Sequence, residues 1–365
     1  MKKSLFIMAL GAIALTSCSQ DEIIEVQKDA ISFAAITENA GRATITNATN
    51  LTEFNVSGIV NDGGTYKTYF DKITMDAGTK EGSIYNSGYF WPMGNMDFYA
   101  YAPTGLTFVL GTPDAAANKT ADKAAKITGV TIATDATLQE DIVYALSTNN
   151  AKPAAAAPVD LNFQHALSQV DFKVKIASNV AQAIKVVVNR ITVKNLQGTG
   201  VYSFPTTETD TGTDTGTDGK GTWAISGELK DYSVTPGWSA LTNGATGSTE
   251  AVTATATESM LLLPQTIEAS TYSSGWSAKG LFILDADVYS VVGGTEVQLV
   301  SEPTYVPVEI NWEEGKHYTY TFVYSADGNG GKTDDNEDQL IPIKFKLSVD
   351  DFAPTTPAET PVPLQ

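Results

Sequence analysis

Short stretches in which apolar and polar residues alternate recur from Leu51 to Val349, each closed off by Gly, Asn, Asp or Pro. A period of two sends successive side chains to opposite faces, which suits half-buried strands and not helices. Residues 51–60 (LTEFNVSGIV) and 65–73 flank Asn61-Asp62-Gly63-Gly64; an Asp-Gly or Gly-Gly step between alternating runs is a hairpin signal. Residues 83–91 and 96–102 bracket Pro92-Met93-Gly94-Asn95, a second turn with Pro and Gly at its corner. Further short strands are expected at 127–132 and 141–146. Ahead of them, 112–126 is rich in Ala and Lys and fits a short helix or a loose loop equally well. Helix-length amphipathic runs are scarce while Thr, Ala, Val and Gly abound, so the expected fold class is all-β.

At 365 residues the chain has room for two domains with sizeable cores. The expected boundary is Ala151-Lys152-Pro153-Ala154-Ala155-Ala156-Ala157-Pro158, where two prolines frame small residues with nothing to bury. A second strand series is expected at 159–176, 183–196, 202–204, 259–263, Leu281–Val292, 304–310 and 317–324, closing with 341–349 (IPIKFKLSV). Within it, Tyr318, Tyr320, Phe322 and Tyr324 share one face and read as sheet packing in preference to a ligand platform. The domains would run 43–152 and 159–353, with 153–158 as linker and 354–365 as a Pro-rich tail without structure. Two Gly- and Asp-rich inserts, 209–221 and 327–338, read as solvated hairpin tips; a Ca²⁺ site there would lack the full oxygen-ligand set.

The N-terminus carries a different message. Lys2 and Lys3 precede an apolar run from Leu5 to Leu15, too short for a permanent membrane helix, and Leu15-Thr16-Ser17-Cys18 follows. A basic start, a short apolar middle and small residues before the cut describe a secretory signal, here 1–17, with the pattern of a bacterial lipoprotein. Cys18 is the lone cysteine and would carry the diacylglycerol, with acylation of the new amine. Several acyl chains, each buried CH₂ contributing about 0.8 kcal/mol, anchor far better than one. Residues 18–42 then form a lipidated segment containing one expected strand, Ala30–Thr37 (AISFAAIT). Arg42 and Ala43 follow Asn39-Ala40-Gly41, an exposed kind of stretch that proteases cut. By local sequence alone, Arg42 reads as an ordinary surface arginine or as a cleavage point. Cleavage would free a strand from the domain it completes and leave unpaired backbone for another strand to fill.

Composition and motifs narrow the function classes. A net charge of −19 repels nucleic acid and anionic membrane surfaces, so no nucleic-acid partner is expected and membrane attachment falls to the lipid. With Cys18 acylated, no internal disulfide can form. The two histidines, His165 and His317, lie in expected strands without HExxH or paired spacing, and GxSxG and Gly-x-Gly-x-x-Gly patterns are missing. No metal site, cofactor or catalytic residue is nominated, and the chain reads as a non-enzyme.

Blocks along the chain resemble, in order, the fimbrillin-like pilin family, surface lipoproteins that build type V pili. They are the lipobox ending at Cys18; Tyr89-Phe90-Trp91-Pro92 with Phe98-Tyr99-Ala100-Tyr101-Ala102-Pro103; and Leu161-Asn162-Phe163-Gln164-His165-Ala166-Leu167-Ser168-Gln169-Val170-Asp171-Phe172. Leu261-Leu262-Leu263-Pro264-Gln265, Trp312-Glu313-Glu314-Gly315-Lys316-His317-Tyr318-Thr319-Tyr320 and Val349-Asp350-Asp351-Phe352 complete the series, with Phe352 where the family often has Trp. The resemblance implies two transthyretin-like β-sandwich domains in tandem. It also implies export to the outer membrane as a lipoprotein, cleavage after Arg42 by an arginine-specific protease, and loss of the strand bearing Ile31, Phe33 and Ala35. Other pilin subunits would then be the partners, a neighbour's strand filling the vacated groove in a surface fimbrium that meets a host or bacterial receptor. Pro354, Pro357, Pro361 and Pro363 suit a donor strand poorly, which tilts the expectation toward a tip or accessory pilin; donation by 341–352 stays open. The rival reading is a permanently anchored surface lipoprotein that grips glycans through aromatics. Trp223, Trp238 and Trp276 are its candidate contacts, each also a natural core residue.

Overall fold

The structure, a computed structural model, describes residues 29–37, 51–81, 83–111, 124–206, 219–243, 252–255, 259–326, 328, 330–351 and 360–361. In chain order its first strands are β1 (Ala30–Thr37), β2 (Phe54–Asp62), β3 (Thr65–Met75), β4 (Lys80–Glu81), β5 (Ile84–Phe90) and β6 (Asn95–Ala102). Next come β7 (Thr107–Val109), β8 (Lys126–Thr131), β9 (Val143–Asn150), β10 (Val159–His165), β11 (Ser168–Ile176), β12 (Ile184–Ser203) and β13 (Thr222–Val234). They continue as β14 (Leu241–Thr242), β15 (Val252–Thr255), β16 (Met260–Leu262), β17 (Thr266–Ile267), β18 (Leu281–Val292), β19 (Thr295–Val300) and β20 (Thr304–Pro307). The last are β21 (Ile310–Asn311), β22 (Lys316–Tyr324), β23 (Gly330–Lys332), β24 (Asp338–Asp351) and β25 (Thr360–Pro361). The fold is all-β, as the two-residue period requires.

The first sheet runs β3-β2-β6-β9-β10-β1-β5-β4. Its two halves face each other: Phe33 of β1 meets Phe98 of β6 edge to face at 5.1 Å, and Phe54 of β2 meets Phe163 of β10 at 5.1 Å and Tyr85 of β5 at 4.9 Å. β10 joins the halves, pairing with β1 through 159–163 and with β9 at Gln164 and His165. The second sheet follows the path β15-β11-β22-β24-β23-β20-β18-β12-β8-β7. Phe172 of β11, Tyr320 of β22 and Phe345 of β24 converge on Phe282 of β18 to form its core.

Each half of the molecule has its own buried cluster, and β6 contributes to both. Phe98, Ala100 and Ala102 face the first cluster while Tyr99 and Tyr101 face the second, which explains why the run Phe98 to Ala102 is apolar throughout. The tyrosine stripe of β22 is buried, and Thr319, Thr321 and Val323 on the opposite face are buried too, so both sides of this strand are covered.

Several expectations differ from the structure. Residues 153–158 do not lead into the second sheet; they connect β9 to β10, antiparallel neighbours within the first. Val159, Leu161 and Phe163 alternate into the first cluster, while β7 and β8, earlier in sequence, pair into the second sheet through β12. The prolines mark a loop, and pairing interleaves the halves across the expected boundary. Expected strands 183–196 and 202–204 are one continuous β12, and the tail 354–365 includes a pair, β25, hydrogen-bonded to β24 at Lys346 and Leu347. Most of 112–126 and of the 209–221 insert lies outside the described residues, whereas the 327–338 insert contains β23. Among the described residues no helix is long and apolar enough to cross a membrane, and no three metal-ligating side chains cluster.

Candidate functional site

β1 sits inside the first sheet, not on its edge. It pairs parallel to β10, with Phe33 opposite Val159 and Thr37 opposite Phe163, and antiparallel to β5, with Phe33 opposite Tyr85 and Ala34 opposite Ile84. A register shift between Ala30 and Ser32 bulges its start. Ile31 and Phe33 are fully buried, Ala35 is half-buried, and Ile36 points out at 46% exposure. Burying an Ile and a Phe contributes roughly 1.5–3 kcal/mol each, so the two side chains hold the strand well before its main-chain bonds are counted.

The beginning of the strand is clamped by groups distant in sequence. The Trp91 amide donates to the Asp29 carbonyl at 2.7 Å, and the Ser87 hydroxyl donates to the Ile31 carbonyl at 2.6 Å. Lys152 forms an ion pair with the Asp29 carboxylate. A cavity of about 480 Å³, lined in part by Ile36, Trp91, Leu146 and Pro153, opens beside the strand. Without β1, the facing main-chain groups of β5 and β10 would lose their partners and Phe98 would lose one of the three rings packed on it, Phe33, keeping Phe70 and Trp91. The slot is a strand-shaped, apolar-floored site.

Ile31, Phe33 and Ala35 lie together on β1, whose bounds Ala30–Thr37 are those drawn from the sequence. Cys18, Arg42 and Ala43 lie outside the described residues. Ser87, Trp91 and Lys152 were not legible as clamps, because no local pattern links Ser87 to Ile31 across 56 positions.

A second buried polar site joins the two halves. Glu314, in the turn before β22, accepts from the Tyr144 hydroxyl of β9 and, at 3.0 Å, from the Tyr202 hydroxyl of β12. The Gly221 amide donates to the Tyr202 oxygen at 3.1 Å. Burial pushes the Glu314 carboxyl up to about 7, against the opposing pull of the two hydroxyls and the Lys220 charge. Burial likewise raises both tyrosines well above the ordinary phenol range, with the Glu314 charge adding to it. His165, for which the sequence offered no orienting partner, has one in Asp141 at 2.8 Å, and His317 pairs with Asp171 at 2.9 Å.

The model of the fimbrillin-like family matches residues 41–337. The chain belongs to the fimbrillin-like family. Among solved structures, a fimbrial protein from Bacteroides vulgatus matches this fimbrillin-like chain with a TM-score of 0.55 and 14% identity, over 88% of this chain and 99% of its own. At that identity the likeness is one of fold. Candidate cell adhesion proteins from Bacteroides ovatus and Bacteroides uniformis match with TM-scores of 0.42 and 0.41, both at 15% identity over 89% of this chain and 98% of theirs. No protein of curated function matches. The family match opens after β1 and closes before β24, so the fimbrillin-like core as matched omits the strand in the slot.

Proposed function

We propose that this fimbrillin-like protein is a surface fimbrial subunit that matures by surrendering β1. In this reading Cys18 is acylated and carries the precursor to the outer membrane. An arginine-specific protease then cuts after Arg42, and the segment bearing Ile31, Phe33 and Ala35 leaves. A strand from an adjoining pilin takes the vacant place between β5 and β10, with main-chain bonds giving affinity and the pockets of Ile31 and Phe33 giving selectivity. The protein is structural, not catalytic, and serves adhesion.

The supporting observation is the interior seat of β1: it is supplied by the N-terminal segment, completes two neighbours at once, and lies outside the span matched to the family. A second observation favours a tip or accessory position. β24 pairs with β22 over nine residues and buries Ile343 and Phe345; donating it would strip the protein's own second core.

The test is digestion of the full chain with an arginine-specific endoprotease. Mass spectrometry should find a new N-terminus at Ala43 and a stable remainder, and Arg42→Ala should abolish that product. The remainder should then bind a synthetic peptide of residues 29–37 in trans. Collapse of the fold on cleavage, or a remainder indifferent to the peptide, would falsify the reading.

A further inference from the structure

Of the three tryptophans singled out in the second half of the sequence, two are engaged by the core. Trp223 tilts against Tyr202 at 5.1 Å and donates its indole N–H to the Ala166 carbonyl at 2.7 Å, and Trp238 packs on the second cluster. Trp276 belongs to neither cluster. It stands on the loop between β17 and β18 and lines a cavity of about 730 Å³ together with Tyr272, Glu268, Lys279, Glu309 and Asn336. Its enclosed indole N–H, like those of Trp91 and Trp238, has no hydrogen-bond partner, so Trp276 can offer the cavity its ring and not its N–H.

The loop that carries it is held firmly. The Ser277 amide donates to the Thr271 carbonyl at 2.9 Å, the Thr271 amide donates to the Ser277 hydroxyl at 2.9 Å, and the Ser270 hydroxyl donates to the Ser277 carbonyl at 2.9 Å. Tyr272 meets Trp276 edge to face at 5.3 Å, and Trp276 lies parallel to Tyr305 with 5.9 Å between centroids. Two aromatics of the lining, Tyr272 and Trp276, are thus pre-arranged, with Tyr305 stacked on Trp276 from outside the lining, which lowers the entropy lost when a ligand docks.

The charges of the lining decide the ligand's class. Its two carboxylates, Glu268 and Glu309, are matched by two ammonium groups, Lys279 and Lys332. Lys279 is already paired with Glu268, and Lys332 with Asp338 at 2.6 Å. With Lys332 taken by Asp338, Glu309 leaves the site a small excess of negative charge inside a molecule of net charge −19, whose field repels anions. A ligand suited to it is uncharged, carries many hydroxyls for the paired charges and the Asn336 amide, and has an apolar ring face for the aromatics. Those are the attributes of a pyranose.

We propose that the Trp276 cavity binds a neutral saccharide. The proposal stands apart from strand exchange, since the cavity lies on the second sheet.

Full-length protein is titrated with maltohexaose, chitohexaose and mannohexaose, with a heparin hexasaccharide and sialyllactose as anionic arms, reading tryptophan fluorescence and saturation-transfer NMR. At least one neutral hexamer should bind saturably. Trp276→Ala and Tyr272→Ala should each weaken it by about tenfold or more, while Trp238→Phe leaves it unchanged. Should Trp276→Ala not fold, Tyr272→Ala decides the matter alone. Binding should survive removal of the segment up to Arg42, so that failure of the strand-exchange reading and failure of this one are told apart. Silence across the neutral panel, preference for the anionic arms, or binding indifferent to Tyr272→Ala overturns the proposal.

Discussion

Phe33 is fully buried and packs edge to face on Phe98 at 5.1 Å, with Tyr85 across the β1–β5 register. Truncating a core Phe removes its transfer free energy and leaves a cavity, at a typical cost of about 3–5 kcal/mol. Phe33→Ala in the full chain should lower the denaturant midpoint accordingly. In the 29–37 peptide, the same change should weaken binding to the trimmed protein by about a hundredfold, read by isothermal titration. Ile36, which is exposed, should tolerate Ala in both settings. Glu314 gives a prediction with a pH axis. Folding raises its pKa from 4.5 to about 7, so between those values the folded protein keeps a proton that the unfolded chain has released. Stability should fall as pH rises through that window and level off above it. Glu314→Gln keeps an acceptor for Tyr144 and Tyr202 but cannot ionise, and should flatten the slope between about pH 5 and about pH 7.5 in urea melts.

At the scale of the element, turns fix which faces the strands present. Gly94, between β5 and β6, has φ +128, and a Cβ there would come within 2.3 Å of the Asn61 carbonyl oxygen. Gly94→Ala should therefore destabilise by more than about 1 kcal/mol in thermal melts, whereas a change at exposed Met93 beside it should not. Strands with clean alternation and strong turn signals were legible: Ala30–Thr37 and Leu281–Val292 have the bounds drawn from the sequence. β12 was not: it spans the gap between the expected strands 183–196 and 202–204, where Gly198 and Gly200 stand. In the structure they admit close neighbours: a Cβ on Gly198 would fall 1.5 Å from the Tyr232 hydroxyl, and one on Gly200 would fall 3.1 Å from the Trp223 ring. The stretch 159–176, expected as one strand, is two: its apolar positions move from odd numbers (Val159, Leu161, Phe163) to even ones (Val170, Phe172, Val174, Ile176) across Ala166–Leu167, where β10 gives way to β11. The site divides the same way. The apolar face of β1 follows from its own residues, but its clamps, and the choice of Trp276 over Trp223 and Trp238, depend on contacts between distant segments.

At the scale of the molecule, β6 serves both clusters, and Tyr144, on β9 of the first sheet, lies in the second cluster beside Tyr202 and bonds Glu314 there. Trimming at Arg42 should consequently raise amide exchange in β5 and β10 while leaving β11, β18, β22 and β24 protected, a contrast readable by mass spectrometry. With β24 committed to its own sheet, the trimmed protein should also remain monomeric by size-exclusion chromatography and enter larger assemblies only with a donating pilin. Homopolymer ladders from the trimmed chain alone would contradict the tip or accessory position. The pairing of β1 has one more outcome. Its neighbours run in opposite directions, β10 alongside it and β5 against it, so an occupant that satisfies both must enter with its own termini pointing one way. A lattice of such joints reads direction at every step, and any fibre assembled through them has a head distinct from its foot.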